Sequence, residues 1–187
     1  MRVIAGSARG MRLAAPPGTG TRPTADRVRE ALFNILQAKF DIKGALVLDI
    51  CAGTGGLGLE ALSRGAASCC FLENDGKALV ALKKNIATVG CKESAKVMEM
   101  DAVRALKSLS NQGKLFNIIF FDPPYESGLY NLVPVAISEF KLLAKDGVLI
   151  AESSIRHPLP AKIENFVKSD RRIYGDTAIE FYNWENE

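Results

Sequence analysis

The feature that most constrains the fold is a regular alternation of apolar strands and helices that begins after Gly44. Five segments favour strands, and each is apolar along nearly its whole length: ALVLDI, ASCCFLE, AKVMEM, LFNIIFF and GVLIAES. Stretches with helical periodicity separate them, and a β-hairpin with its turn near Gly175 and Asp176 is predicted to close the chain. Because apolar strands joined by helices form parallel sheets covered on both faces, the pattern predicts an α/β fold with a mostly parallel, seven-stranded sheet.

The N-terminal part of the chain lacks this alternation. We therefore divide the chain into an N-terminal extension, residues 1–40, and a domain that spans residues 41–187. RVIAGSARGMRLAAP contains two short alternating runs around Gly and Ser, which predicts a small β-hairpin. A helix is predicted from Thr24, a suitable N-cap, with Val28, Leu32 and Leu36 on its apolar face.

The charge of the chain is unevenly distributed, although the net charge is only +3. Residues 1–29 contain six arginines, no lysine and a single acid, Asp26. The arginine guanidinium makes fork-shaped contacts to phosphates and stacks on bases, so the bias favours nucleic-acid binding, with a solvated basic surface as the alternative. The candidate nucleic-acid contacts are Arg2, Arg9, Arg12, Arg22, Arg27 and Arg29.

Several classes of function are disfavoured by what the sequence contains. The four cysteines show no CxxC spacing, and the only histidine, His157, is isolated in a predicted loop. We therefore expect no disulfide framework, no metal site and no histidine-based hydrolase. No apolar run reaches membrane-spanning length and the N-terminus has no signal-peptide pattern, so we expect a cytoplasmic protein without a membrane partner.

A glycine-rich loop follows the first predicted strand, in VLDICAGTGGLGLEAL. Gly53, Gly55 and Gly58 satisfy G-x-G-x-x-G, and Glu73 follows twenty residues after Gly53. Such a loop brings the backbone close to an adenosine-containing cofactor, and Glu73 is placed to accept hydrogen bonds from ribose hydroxyls. The loop alone does not choose between NAD and S-adenosylmethionine.

Acidic residues stand at or near the ends of the first three strands, at Asp49, Glu73 and Asp101. Asp101 is suited to cap the following helix, to accept a bond from an adenine amino group, or to do both. Carboxylates are favourable neighbours of the sulfonium and amino cation of S-adenosylmethionine and unfavourable neighbours of a pyrophosphate. The acids therefore favour S-adenosylmethionine as the cofactor, without a metal.

The fourth strand runs directly into IIFFDPPY, and this junction is the candidate catalytic motif. The prolines restrict the backbone, so the Asp122 carboxylate and the Pro123 carbonyl become two fixed acceptors beside the aromatic ring of Tyr125. Two acceptors and a ring suit a flat group that bears an amine, such as a nucleobase. Hydrogen bonds from the two N–H groups of the amine would aim its lone pair at a methyl donor. The alternative is a stiff turn without chemistry.

VLDICAGTGGLGLEAL, FLEND and IIFFDPPY resemble the successive motifs of Rossmann-like class I S-adenosylmethionine-dependent methyltransferases that act on exocyclic amines. RVIAGSARGMRL and TRPTADRVREALFNIL resemble the bacterial RsmD family, whose members methylate N2 of a guanine in small-subunit (16S) ribosomal RNA. The resemblance covers residues 1 to about 152.

The resemblance implies roles for individual residues. Gly53 and Gly55 would shape the cofactor loop, Asp49 would support the methionine end, and Glu73 and Asp101 would hold the ribose and adenine. The implied product is S-adenosylhomocysteine. The implied partner of the arginine-rich hairpin is ribosomal RNA, within the small subunit or an assembly intermediate, and we expect a monomer.

Rival functions remain open from the sequence. A DNA or RNA adenine-N6 methyltransferase would use the same site, and Tyr125 is common among adenine-N6 enzymes, although only about 44 residues precede the sheet. A protein glutamine-N5 methyltransferase more often carries Asn before the prolines. A NAD-dependent oxidoreductase leaves D-P-P-Y without a role, and a non-catalytic RNA-binding module leaves the cofactor loop without one.

Overall fold

The structure, a computed structural model, describes residues 1–15, 23–124 and 128–185. The helices in these ranges are α1 (Pro23–Lys39), α2 (Gly56–Ser63), α3 (Gly76–Val89), α4 (Ala102–Asn111) and α5 (Val133–Glu139), with 3₁₀ turns at Lys92–Ser94 and Leu129–Asn131. The strands are β1 (Leu46–Ile50), β2 (Ser68–Glu73), β3 (Ala95–Glu99), β4 (Phe116–Phe121), β5 (Leu143–Ser154), β6 (Lys162–Ile163), β7 (Phe166–Tyr174) and β8 (Thr177–Trp184).

One mixed sheet joins these strands in the order β3-β2-β1-β4-β5-β8-β7-β6. The first five are parallel, and β8 pairs with β5 in the antiparallel direction. The predicted α/β fold and the closing hairpin, β7–β8 with Gly175 in its turn, are confirmed. The predicted strand number was wrong, because the sheet has eight strands within the described residues; the additional one is the two-residue β6 at its edge.

The predicted N-terminal β-hairpin is wrong. Residues 1–15 double back and a few backbone bonds join the two arms, as from the Val3 amide to the Met11 carbonyl at 3.0 Å, but the only bridge is an isolated antiparallel one between Arg2 and Arg12. The backbone between them bonds to α2: Ile4 and Ala5 donate their amides to the Glu60 carboxylate, at 2.7 and 3.0 Å. Because acceptors more than fifty residues away take these donors, they are not available for a strand ladder.

The helical stretch that the sequence predicts between the fourth and fifth strands, about residues 128–142, is shorter in the structure. α5 ends at Glu139, Lys141 adopts a positive φ of 52°, and β5 begins at Leu143. β5 is therefore longer than the GVLIAES segment that predicted it. No helix in the described ranges is both long and apolar enough to cross a membrane.

Two apolar clusters cover the two faces of the sheet. Alternate residues of each strand enter opposite clusters, as Phe120 and Phe121 of β4 show. The cluster with Phe120 includes residues of α1, α2 and α3, and it also holds Val3, Ala8 and Leu13. The described N-terminal residues are thus packed on the same face of the sheet as the helix that follows the glycine loop.

Candidate active site

A cavity of about 1200 Å³ opens at the carboxyl ends of the parallel strands. Open α/β sheets bind ligands at the carboxyl ends of their strands, at the point where the strand order reverses. In this sheet that point lies between β1 and β4. The cavity is lined by six of the predicted cofactor and catalytic residues: Asp49, Gly53, Glu73, Asp101, Asp122 and Pro123. The structure therefore brings four of the five predicted cofactor residues and two of the three predicted catalytic residues to one space.

The glycine loop turns sharply as it leaves β1. Cys51, Gly53 and Gly55 all have positive φ, at 59°, 55° and 83°, and the Gly55 amide donates to the Ala52 carbonyl at 2.8 Å. A Cβ at Gly53 would meet nothing within 4 Å, whereas one at Gly55 would lie 2.6 Å from Leu82 Cδ1. Gly53 therefore faces open space, while Gly55 allows the turn to pack on α3 and does not itself line the cavity.

Glu73 fixes this loop from the end of β2. Its Oε2 accepts the Gly53 amide at 2.7 Å, and its Oε1 accepts the amides of Asn74 and Asp75 at 2.8 Å each. These bonds use three of the roughly four acceptor positions of a carboxylate. Glu73 thus keeps room for about one further donor, fewer than the two ribose hydroxyls that the sequence suggested.

Asp49 lies beneath the loop and is only 2% exposed. Its Oδ2 accepts the Gly58 amide at 2.9 Å, which ties β1 to the first turn of α2. Burial raises the pKa of the Asp49 carboxyl to about 7, the bond from Gly58 opposes that rise, and the charge of Glu73 adds to it. Asp49 is therefore an acid whose charge depends on what occupies the cavity.

Asp101 is exposed at the cavity and caps α4, where its carboxylate accepts the Arg104 amide at 3.2 Å. The capping function left open by the sequence is therefore present in the structure. Asp75 caps α3 in the same way, since its side chain accepts the Ala78 amide at 2.8 Å.

Asp122 follows β4 and is exposed at the cavity, yet the surrounding protein desolvates its carboxyl. This desolvation, together with the charges of Glu152 and Asp49, raises the pKa of the Asp122 carboxyl to about 8. No described residue donates a hydrogen bond to this carboxylate. Asp122 is thus an acceptor at the cavity wall whose protonation is poised near neutral pH.

The Pro123 carbonyl lies 3.3 Å from the Tyr130 hydroxyl, which also lies 3.0 Å from the Glu152 carbonyl. A hydroxyl has one hydrogen to donate, and the shorter contact is to Glu152. The Pro123 carbonyl therefore keeps acceptor capacity. Tyr125, the third predicted catalytic residue, lies outside the described residues.

The arginines predicted to bind RNA occupy two different environments. Arg2, Arg9, Arg12 and Arg27 are exposed, and Arg22 lies outside the described residues. Arg29 differs, because it is only 5% exposed at the cavity wall. Its Nη2 donates to the Arg2 carbonyl and to Asp26, which makes it a link between α1 and the N-terminal segment.

Sequence reasoning missed two residues of this region, Glu152 and Asn85. Glu152 lines the cavity near the end of β5, and the rule that ligands bind at strand ends could have found it. Asn85 is fully buried in α3, where its side chain exchanges two bonds with Ala14 and donates to the Thr54 carbonyl of the glycine loop. No local pattern marks Asn85, since all its partners are at least 31 residues away.

Two observations bear on metal and thiol chemistry. Within 1–15, 23–124 and 128–185, no group of three or more His, Cys, Asp or Glu side chains is arranged to hold a metal ion. Cys51 lines the cavity, and burial together with the surrounding carboxylates raises its pKa to about 12. Its thiol is therefore protonated at neutral pH.

Comparison with known proteins extends over almost the whole chain. The family described as Conserved hypothetical protein 95 matches residues 1–183. The chain is 37% identical to ribosomal RNA small subunit methyltransferase D of Escherichia coli K12, over 99% of this chain and 90% of that protein. It is 40% identical to the protein of that name from Haemophilus influenzae, over 97% and 93%. The solved structure of yhhF from Escherichia coli superposes with a TM-score of 0.86 at 36% identity, covering 100% of this chain and 99% of that one.

Proposed function

Because this chain belongs to the RsmD family of ribosomal RNA methyltransferases, we propose that it transfers a methyl group from S-adenosylmethionine to the exocyclic N2 amine of a guanine in small-subunit ribosomal RNA. The observation that carries this proposal is the single cavity that joins the glycine loop to the Asp122 carboxylate and the Pro123 carbonyl. A cofactor loop and a pair of amine acceptors in one space are what N-methyl transfer requires.

The residues around the loop fit S-adenosylmethionine, which supplies an electrophilic methyl group when bound. Gly53 leaves its face of the cavity open, and Glu73 retains acceptor capacity for a ribose hydroxyl. Asp49 would support the methionine end by its negative charge, and Asp101 would meet the adenine while it caps α4. The cavity exceeds the upper range of ordinary small-molecule sites, about 1000 Å³, so it offers space for a nucleobase beside the cofactor.

In the proposed reaction Asp122 and Pro123 accept the two N–H groups of the guanine amine, and Tyr125 stacks on the base. These contacts localise the nitrogen lone pair and direct it at the methyl carbon. The bound cofactor would supply the methyl group, and the Asp122 carboxylate would take the one proton that the amine nitrogen loses when it is methylated. Most of the acceleration would come from positioning and from this acceptor pair.

The exposed arginines of the N-terminal extension would hold the RNA backbone. Arg2, Arg9, Arg12 and Arg27 present guanidinium groups to solvent, and Arg22 belongs to the same proposal. For Arg29 we propose a supporting role, because its partners are protein groups. Guanine amines are poorly accessible inside RNA helices, so the target base would be unpaired or flipped into the cavity. The proposal includes a division of the chain into an RNA-contacting extension, residues 1–40, and a catalytic domain, residues 41–187. It also includes that the protein acts as a monomer in the cytoplasm.

A methyl-transfer assay tests the proposal. Purified protein is incubated with radiolabelled S-adenosylmethionine and small-subunit RNA or subunits from a strain that lacks the gene, and the nucleosides are identified by mass spectrometry. We expect label in N2-methylguanosine. Label in N6-methyladenosine or in glutamine, or no transfer to either RNA substrate, would overturn the assignment.

Asp122→Asn provides the matched loss of function, with Asp146→Asn, an exposed acid in β5, as its control. We expect Asp122→Asn to abolish transfer while S-adenosylhomocysteine still binds, because the change removes the proton acceptor and leaves the glycine loop intact. Full turnover by Asp122→Asn would remove Asp122 from the mechanism.

A further inference from the structure

Glu152 of β5 stands beside Asp122, a consequence of strand register. Phe120 of β4 pairs with Ile150 of β5 in the parallel ladder. Side chains alternate between the two faces of a sheet, so Asp122 and Glu152, each two residues further on, point to the same face. Both residues line the cavity. Two carboxylates from neighbouring strands therefore border the space in which the target base would lie.

The relative position of these strand ends is held by the Tyr130 hydroxyl. It contacts the carbonyl of Glu152 and the carbonyl of Pro123, at 3.0 and 3.3 Å. Glu152 also acts on Asp122 electrostatically, since its charge is one of the causes that raise the pKa of the Asp122 carboxyl. The strand register and the effect of Glu152 on the pKa of Asp122 both indicate that the two carboxylates lie close together in the cavity.

We propose that Glu152 selects guanine over adenine by accepting the N1–H of the target base while Asp122 and Pro123 hold its amine. This inference rests on the proposed methyl transfer to N2 of guanine. Glu152 is then a specificity-determining residue. The D-P-P-Y motif alone does not distinguish guanine from adenine.

The hydrogen-bonding edges of the two purines explain the choice. Guanine presents N1–H and the N2 amine side by side, so the group next to its amine is a donor. Adenine presents its amine beside N1, which is an acceptor, and a carboxylate opposite that nitrogen would be repelled. A carboxylate has about four acceptor positions, so Glu152 can receive N1–H alongside a donor from the protein. Sites that leave a buried polar group unpaired reject the wrong substrate strongly, by roughly 10⁴-fold in favourable cases.

The test uses a base that keeps the amine and loses N1–H. After the methylated position is mapped, small-subunit RNA is ligated from two pieces so that this position carries either guanosine or 2-aminopurine riboside. Values of kcat/KM are measured for both RNAs with the wild-type protein, with Glu152→Gln, and with Glu93→Gln as a carboxylate control in the 3₁₀ turn before β3. Binding of S-adenosylhomocysteine is measured for each protein.

We expect the wild-type protein and Glu93→Gln to prefer guanosine by roughly 100-fold or more, and Glu152→Gln to reduce this preference by about tenfold or more, because a glutamine amide can donate to an unprotonated N1. Cofactor binding should stay the same. An unchanged preference in Glu152→Gln, or an equal loss of activity on both RNAs, would overturn the assignment of Glu152. Absence of transfer to guanosine by the wild-type protein would instead overturn the proposed function.

Discussion

At the scale of single residues, the protonation of Asp122 has the most direct chemical consequence. A protonated Asp122 carboxyl cannot take the proton that leaves the amine. It also lacks the negative charge that would stabilise positive charge on the amine nitrogen. The other ionisable side chains that line the cavity are Arg29, Asp49, Cys51, Glu73, Asp75, Asp101, Glu152, Tyr174 and Asp176. Of these, Glu152 and Asp49 raise its pKa, and they do so by adding to the effect of desolvation.

The expected pH dependence follows from this shift. Because Asp122 must be ionised to act and its pKa is about 8, kcat/KM should rise with pH and reach half its maximum near pH 8. In Glu152→Gln the like charge is gone, so the half-maximum should move to lower pH. Steady-state rates on one RNA between pH 6 and pH 9.5 measure the pH of half-maximal kcat/KM for the wild-type protein and for Glu152→Gln. A wild-type profile that is flat across this range would contradict the assigned role of Asp122.

At the scale of secondary-structure elements, the close approach of α2 to β2 determines where the glycine loop lies. A Cβ at Gly58 would come within 2.4 Å of Phe71 Cε1 and 2.6 Å of Cys69 Sγ. Both neighbours are buried, and the Phe71 ring cannot move without disturbing the core. The glycine is needed here because the helix and the strand meet without space for a side chain.

Gly58→Ala should therefore destabilise the fold. Overpacking costs about 1–3 kcal/mol, which exceeds or offsets the gain of about 1 kcal/mol from the better helix propensity of alanine. Gly76→Ala is the matched control, since Gly76 begins α3 and a Cβ there meets nothing within 4 Å. Chemical denaturation should show a lower unfolding free energy for Gly58→Ala alone. Equal stability of both variants would show that α2 can shift away from β2 without cost.

Asn85 connects α3 to both the N-terminal segment and the glycine loop. Its Oδ1 accepts the Ala14 amide at 2.7 Å, and its Nδ2 donates to the carbonyls of Ala14 and Thr54 at 3.0 and 2.9 Å. Thr54 lines the cavity. The order of the loop and the position of the N-terminal segment therefore depend on one buried amide.

Asn85→Leu should weaken both functions of this connection. The variant removes the partner of backbone groups in the half-buried residues Ala14 and Thr54, at a cost of up to about 1–3 kcal/mol for each group that water does not reach. We expect weaker S-adenosylhomocysteine binding by calorimetry and faster hydrogen exchange in residues 1–15, neither of which should occur in Asn111→Leu at the exposed end of α4. Unchanged exchange and affinity in a folded Asn85→Leu would show that the two segments are independent of Asn85.

The parts of this site that the sequence predicts correctly depend on local patterns. Strand ends, the glycine loop and the cap at Asp101 follow from residues a few positions apart. The N-terminal hairpin fails because Glu60 and Ser63 take its backbone donors, with the Ala8 amide 3.0 Å from Ser63 Oγ. The inward position of Arg29 likewise depends on tertiary partners, which periodicity does not reveal.

At the scale of the whole molecule, the N-terminal segment and the sheet share one apolar core. Val3, Ala8 and Leu13 are buried in it, while Arg9 and Arg12 between them are exposed. Ile4 and Ala5 are bonded to Glu60 of α2, so the segment is fixed to the helix that follows the glycine loop. This arrangement presents the positive charge of the segment on the same face of the sheet as the carboxylates of the cavity.

Replacing Arg9 and Arg12 by alanine should weaken RNA binding without weakening cofactor binding. Log affinity decreases with log salt concentration. This negative slope should become shallower by roughly 0.7–0.9 for every phosphate that an arginine no longer neutralises, because fewer counterions are released. The double variant Lys114→Ala, Lys141→Ala is the matched control. These exposed lysines precede β4 and β5, at the amino ends of the strands, whereas the cavity opens at the carboxyl ends. The control removes the same charge. Fluorescence titration of small-subunit RNA from about 50 to 300 mM salt compares the variants. If the two double variants had the same slope, net charge rather than the N-terminal segment would account for the binding of RNA.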